Sequence, residues 1–445
     1  MTVGDPAHGI IKFAVPLILG YILQQMYLIV DAAIVGRWIG VDALAAVGAS
    51  ALVMFLVMGF CNGACAGFAI PIARAFGAKD FKKMRVYVAN SIRVSLVMIV
   101  VITFFACAFC DKILRIVNTP REIFDDAYTF LLLQFLAIPF TLTFNLFAGY
   151  IRALGNSRQP FLFLIISSFV NILLDVLLIL ILGMGVAGAG LATLLSQLFA
   201  SILSVWYVAR HMTMLIPHGD ERAFDNKRVS ILLNNGIPMG LQVSITAIGI
   251  ILLQSSNNAL GTVYVASFTA AVRIKYLFIC VFDNIGVAMA TYCGQNIGAG
   301  RLDRVRQGEW AAMKIMMVYF VFTALVIFPF AGNMMELFVN GSSQAVADNA
   351  AMLMRISCYF YPVLGLLAIF RYSIQGLGYS NLSMLSGVME MIARSGVSLW
   401  LVPDFGFLGV CYGDPMAWVF ADIFLVPGFL LLYRHLKKKH GVASL

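Results

Sequence analysis

The chain alternates long apolar runs with short polar breaks, and about twelve runs are long enough to cross a bilayer as helices at ~1.5 Å per residue. They fall near 10–39, 44–75, 85–110, 122–151, 159–182, 187–210, 230–259, 263–296, 308–331, 346–375, 380–402 and 408–434. Glycine, proline and charge clusters mark the breaks. The first run, Gly9 to Gly40, carries a single acid, Asp31, in its last third. A carboxylate in hydrocarbon costs about 2.5–3.5 kcal/mol on insertion scales, and Asp is too short to snorkel well, so Asp31 reads as functional. Tyr27 lies one turn earlier on the same face. Pro16 and Gly20 lie deeper and weaken the helix where it can bend.

Composition narrows the class. Of 445 residues, 61% are hydrophobic and 11% charged, whereas soluble domains carry about 25% charged residues. The expected fold is therefore an all-α polytopic membrane protein. The net charge of +9 does not imply a nucleic-acid partner, because the basic residues sit in short loops between spans. There they act as an orientation signal. Arg74, Lys79, Lys82, Lys83 and Arg85, then Arg210, Arg222, Lys227 and Arg228, then Arg301, Arg304 and Arg306, and finally Lys437 to Lys439 fall on one side. That asymmetry predicts both termini in the cytoplasm. The first apolar run is longer than the core of a signal peptide and lacks a basic segment before it, so it is read as a span. The eight cysteines fall in apolar runs without metal-site spacing and are expected to be small core residues.

The two halves repeat. ARAFGAKDFKKMR (73–85) matches GQNIGAGRLDRVR (294–306), ALGNSRQPF (153–161) matches GLGYSNLSM (376–384), and GVAGAG (185–190) matches GFLGVC (406–411). AVPLILG (14–20) pairs with GIPMGLQ (236–242). Each match falls at the same place in a six-span unit, so the units share one orientation. The predicted architecture is two pseudo-symmetric six-helix lobes around a central cleft: residues 1–210, a cytoplasmic linker at 211–229, and residues 230–445.

Depth singles out a polar constellation in the first lobe. Asp31, Asp175, Asn171 (one turn from Asp175) and Thr193 all fall roughly 10 Å below the outer surface. Interhelical hydrogen bonds of this kind contribute ~0.6 kcal/mol each and can be structural. Two acids without a nearby base favour function, since like charges in a poorly solvated site let one carboxyl hold a proton. A Na⁺ ion can use the same oxygens. Under the repeat, Asp31 aligns with Leu253, Asp175 with Ser398 and Asn171 with Arg394. The second lobe instead offers Glu390 and Arg394 at i,i+4, together with Arg273, Lys275 and Asp283 on the eighth span, and Asp414 and Asp422 on the twelfth. Glu390 with Arg394 is read as an intrahelical ion pair, with substrate contact or a second coupling site as the alternatives. Gln242 is read as a packing amide.

The chain resembles the multidrug and toxic compound extrusion (MATE) family, in particular its bacterial DinF-like branch, over nearly its whole length. The resemblance rests on VDAAIVGRWIG ending the first span, NILLD with Asn171 and Asp175, GVAGAGLAT before Thr193, the RALGNSRQP turn, and GQNIGAG after the eighth span. It implies a secondary antiporter of a bacterial cytoplasmic membrane, exporting amphipathic, often cationic drugs or toxins against inward H⁺ or Na⁺ flow by alternating access. It also implies that Asp31 carries the coupling cation among Tyr27, Asn171, Asp175 and Thr193, and that Pro16 is a bending point. The seventh span lacks the acid found in some relatives, and Ala148 stands where a polar residue is common. No cofactor, no resident metal and no nucleic acid are expected, and the chain is expected to work as a monomer. The alternative is a flippase for a lipid-linked intermediate, with Arg273, Lys275, Arg355 and Arg394 facing its headgroup. An enzyme is disfavoured: HExxH and GxSxG are absent, and the five histidines are scattered.

Overall fold

The computed structural model describes residues 1–117, 119–339 and 344–439. The end of the chain, residues 440–445, which the sequence reading assigns to the second lobe, lies outside the described residues. Every long apolar run folds as a helix: α1 (Pro6–Trp38), α2 (Val41–Gly77), α3 (Phe81–Ala108), α4 (Phe124–Ala153), α5 (Arg158–Asp175), α6 (Gly185–His211), α7 (Asn226–Asn258), α8 (Thr262–Gly298), α9 (Leu302–Val339), α10 (Gln344–Tyr359), α11 (Tyr361–Gly376), α12 (Ser380–Gly396) and α13 (Gly413–Lys439). Among the described residues eleven spans are long and apolar enough to cross a bilayer, or twelve when α10 and α11 count as one. Most helices overrun the predicted spans. Hydropathy marks the hydrocarbon stretch, whereas backbone hydrogen bonding continues into the polar layer.

The tenth predicted span, 346–375, is not one straight helix. Its halves α10 and α11 meet at 54° around Phe360, where Pro362 begins the next helix without an N–H to donate. The proline alone does not decide this, because Pro139, at the same place in the first repeat, lies inside the unbroken α4.

The repeat is written into the backbone. Left-handed residues recur in pairs at the spacing of the sequence matches: Gly40 and Gly261, Lys79 and Gly300, Gly155 and Gly378, Gly183 and Gly406. Lys79, at φ 56°, is the one described non-glycine residue with positive φ, and its repeat mate Gly300 holds φ 71° without a Cβ to strain. After α5 the helix widens into a π turn, Val176–Ile181, and after α12 into another, Val397–Leu401.

Two compact units emerge: Val15–Gly240, and Met1–Ala14 with Leu241–Leu445. The sequence reading places its cuts at 210/211 and 229/230. The contacts of the two units divide inside α1 and α7, beside Pro16 and Pro238, which the repeat aligns. Close backbone packing explains why the start of α7 belongs with the first unit. A Cβ on Gly67 of α2 would lie 2.6 Å from the Asn235 carbonyl oxygen, and one on Gly63 would lie 2.6 Å from that of Met239. Facing them, Gly236 and Gly240 leave room for the rings of Phe68 and Phe60. Small-xxx-small surfaces on both helices allow this approach.

In the second unit the N-terminus is tied to α8 and α9. The Met1 ammonium donates to Gln295 Oε1 (3.1 Å), and Arg304 donates to the Gly4 carbonyl (2.9 Å). Within the first unit the segment joining α6 to α7 is clasped by α3. Arg85 forks onto both Glu221 oxygens at 2.6 Å, the Asp225 N–H donates to Asn90 Oδ1 (3.2 Å), and Arg93 donates to the Arg222 carbonyl.

Candidate functional site

Helices α1, α5 and α6 bring the predicted polar groups of the first unit together. On α5 the residues Ser167, Asn171 and Asp175 form a buried stripe at four-residue spacing, and Asp175 is fully buried. The Asp31 carboxyl of α1 lies beside the Asp175 carboxyl of α5. Asn171 donates its amide to Asp175 Oδ2 (3.1 Å) and accepts from the Thr193 backbone N–H (3.3 Å). Tyr27 lies beside Thr193 and within the electrostatic reach of both acids, which gathers five polar residues at one place. Asp31 Oδ1 and Asp175 Oδ1 are buried without a hydrogen-bond partner. Among the described residues no lysine or arginine is paired with either carboxyl.

An apolar layer covers this cluster. Val35, Ile179 and Ala189 each sit one turn away from Asp31, Asp175 and Thr193 on the same three helices, and they pack with Ala43, Phe130 and Val186. Apolar neighbours on that side raise the cost of leaving the acids charged and unpaired. Sequence reading missed this layer, and it also missed Ser196, whose Oγ lies 3.5 Å from the Asn171 amide. Ser196 shows no signal beyond lying three residues past Thr193. Pro16 lies inside the continuous α1, and Gly20 faces Phe161 and Leu164 of α5, where a Cβ would make ordinary van der Waals contact.

The second unit uses the equivalent positions differently. Glu390 on α12, which the repeat aligns with Ser167, is gripped by Arg371 of α11 and by Arg394 (3.2 Å). Arg394, aligned with Asn171, donates to Asp414 Oδ1 of α13 (2.9 Å), and Lys275 of α8 reaches Asp414 Oδ2 (2.5 Å). The i,i+4 pair expected from sequence is thus the middle of a five-residue ion chain. Asp283 and Asp422 lie within the electrostatic reach of Arg371. Arg273 lies on an exposed face of α8, and among the described residues no ion pair joins it to this chain. Arg371 was the central omission of the sequence reading. The repeat aligns it with Ala148, so a search for cations at repeat-equivalent positions of apolar runs would have found it. Gln242 accepts from Gln375 and Ser383, both at 2.9 Å, and is a packing amide. All eight cysteines are free.

A repeated six-span helical fold with a buried acidic cluster in one half places the chain among polytopic membrane transporters. The MatE family model matches residues 16–177 and 238–398, one stretch in each half, and the chain belongs to that family. It is 28% identical over 403 residues to the probable multidrug resistance protein YpnP of Bacillus subtilis (strain 168), covering 90% of this chain and 87% of that protein. It is 21% identical over 404 residues to the multidrug export protein MepA of Staphylococcus aureus (strain bovine RF122 / ET3-1), covering 91% and 89%. A crystal structure of MATE in the bent conformation superposes with a TM-score of 0.91 at 23% identity, covering 99% of this chain and 98% of the other.

Proposed function

We propose that the chain is a secondary antiporter of a bacterial cytoplasmic membrane, exporting amphipathic, often cationic compounds in exchange for inward H⁺ or Na⁺. The observation that carries this reading is the contrast between the halves. Around the fifth helix of the repeat the second unit pairs Glu390 and Asp414 with cations, although Asp422 and Glu309 elsewhere in it lie buried with unpartnered oxygens, while the first unit brings two carboxyls together with no cation. Two neighbouring ionised carboxylates repel each other in a poorly solvated site, and one proton or one hard cation between them removes the repulsion. The surrounding donors are oxygens and one amide, a set that suits H⁺ or Na⁺ and not a soft metal.

In this reading Asp31 carries the coupling ion, and Asp175, Asn171, Thr193 and Tyr27 hold it. Loading the ion weakens the attraction of Asp31 for its polar neighbours, and α1 shifts about Pro16, where the hydrogen-bond ladder lacks one rung. The names of MepA and YpnP support drugs as the exported class.

The test is efflux of a cationic dye from vesicles holding the purified protein, with pH and Na⁺ gradients imposed separately. Dye movement driven by one of them is expected. Dye movement indifferent to both, with lipid scrambling instead, would favour the flippase. Against that alternative, two of the cations it needs, Lys275 and Arg394, are engaged by Asp414 and Glu390.

A further inference from the structure

We propose that the first unit holds a specific site for an anionic phospholipid, with the lipid phosphate on Arg93 and an acyl chain in the groove beyond it. The groove has a volume of about 480 Å³ and runs between α2, α3 and the start of α7. Phe60, Phe68, Val97, Val101, Leu233 and Ile237 give it an apolar wall, and Arg93 is the charged residue lining it.

Arg93 stands at a boundary. On its near side α3 is bonded to the polar joining segment through Arg85, Asn90 and Arg93 itself. On its far side the same face of α3 is Val94, Val97, Met98, Val101 and Ile102. One guanidinium nitrogen, Nη2, is used on the Arg222 carbonyl, whereas Nη1 is buried without a partner. The nearby acids are engaged elsewhere: Glu221 by Arg85, and Asp225 by Arg228. An unpaired guanidinium N–H at the head of an apolar groove calls for an anion that carries its own hydrocarbon. The dimensions agree. From Arg93 to Ile102 the helix rises roughly 14 Å, close to half of a bilayer core of ~30 Å. Lys314, aligned with Arg93, lines a different apolar groove, with Trp310, Met317 and Leu366 on another face of its helix, and serves as the control position.

A lipid seated here touches Phe224 of the joining segment, α2 and the first half of α7, so it consolidates the crossing at Gly63 and Gly67. The site stands apart from ion coupling, and its test does not depend on transport.

The experiment is native mass spectrometry of the full chain in detergent, titrated with phosphatidylglycerol or phosphatidylcholine of equal chain length. Expected is one phosphatidylglycerol retained roughly tenfold more tightly than phosphatidylcholine, the discrimination a single charge-assisted contact supplies. Arg93→Gln should remove the preference. Val97→Trp should fill the groove and evict either lipid while leaving the Arg93 contact to the joining segment intact. Lys314→Gln should retain the site. Inorganic phosphate at millimolar concentration should not displace the lipid. A preference unchanged in Arg93→Gln, lipid retained unchanged in Val97→Trp, or full displacement by phosphate would overturn the proposal.

Discussion

Asp31 and Glu390 are both carboxylates inside apolar helices, yet the structure gives them opposite dependence on their neighbours. Asp31 faces another acid, so neutralising it relieves repulsion and leaves no cation stranded. Asp31→Asn is expected to express and unfold like the parent while losing gradient-driven dye efflux, measured on the same purified sample. Efflux at the parental rate would remove Asp31 from the mechanism. Glu390 holds two arginines, and Glu390→Gln leaves both buried and underpaired. A loss of about 3–5 kcal/mol is expected, read as a lower unfolding midpoint. A charge-reversed Glu390→Arg/Arg394→Glu pair looks like a rescue from sequence alone. The structure says otherwise, because the new arginine would face Arg371 and the new glutamate would face Asp414.

Among the elements, what was legible in the sequence follows from what is local. The spans could be read because each is a continuous apolar run. The repeat could be read because tight turns need glycine or a tolerated substitute, as at Gly300 and Lys79. The depth of Asp31, Asp175 and Thr193 could be counted along their helices. The break at Phe360 could not be read, since Pro139 shares the register of Pro362 without a break. The membership of α7 was hidden because Gly63 and Gly67 meet Gly236 and Gly240 from a distant part of the chain. Gly67→Val is expected to fail to give folded protein in detergent, judged by a monodisperse elution peak, because a Cβ at 2.6 Å from a carbonyl oxygen forces the helices apart. The clasp of α3 on the joining segment adds a pH dependence. The Arg85 guanidinium, and then the His218 N–H, hold the Glu221 carboxyl down at about 2, below the ordinary value of 4.5. A depressed folded-state value means the clasp is at full strength above the unfolded value and fades as pH falls through about 2. At pH 7, Glu221→Gln should therefore speed hydrogen exchange across 211–225, while the parent segment stays protected down to about pH 4.5.

For the whole molecule, duplication followed by divergence divides labour between the units. Both place polar residues on the fifth helix of the repeat and let that helix widen into a π turn, so the turn belongs to the scaffold and not to the acid beside it. What diverged is charge balance. Asn171 facing Thr193 in one unit corresponds to Arg394 facing Asp414 in the other, and Ala148 corresponds to Arg371. A paired network maintains structure and is costly to break, whereas an unpaired acid can change its charge within the same packing. The two kinds of damage should therefore separate in one assay. The folded fraction of Glu390→Gln, recovered at low temperature and reconstituted, is expected to keep its response to the imposed gradient per folded molecule, while Asp31→Asn, fully folded, loses it. Dye efflux normalised to folded protein, set beside unfolding midpoints, measures both. If Glu390→Gln instead abolishes the gradient response in protein that remains folded, the ion chain from Lys275 to Arg371 takes part in coupling, and the second unit is more than a support.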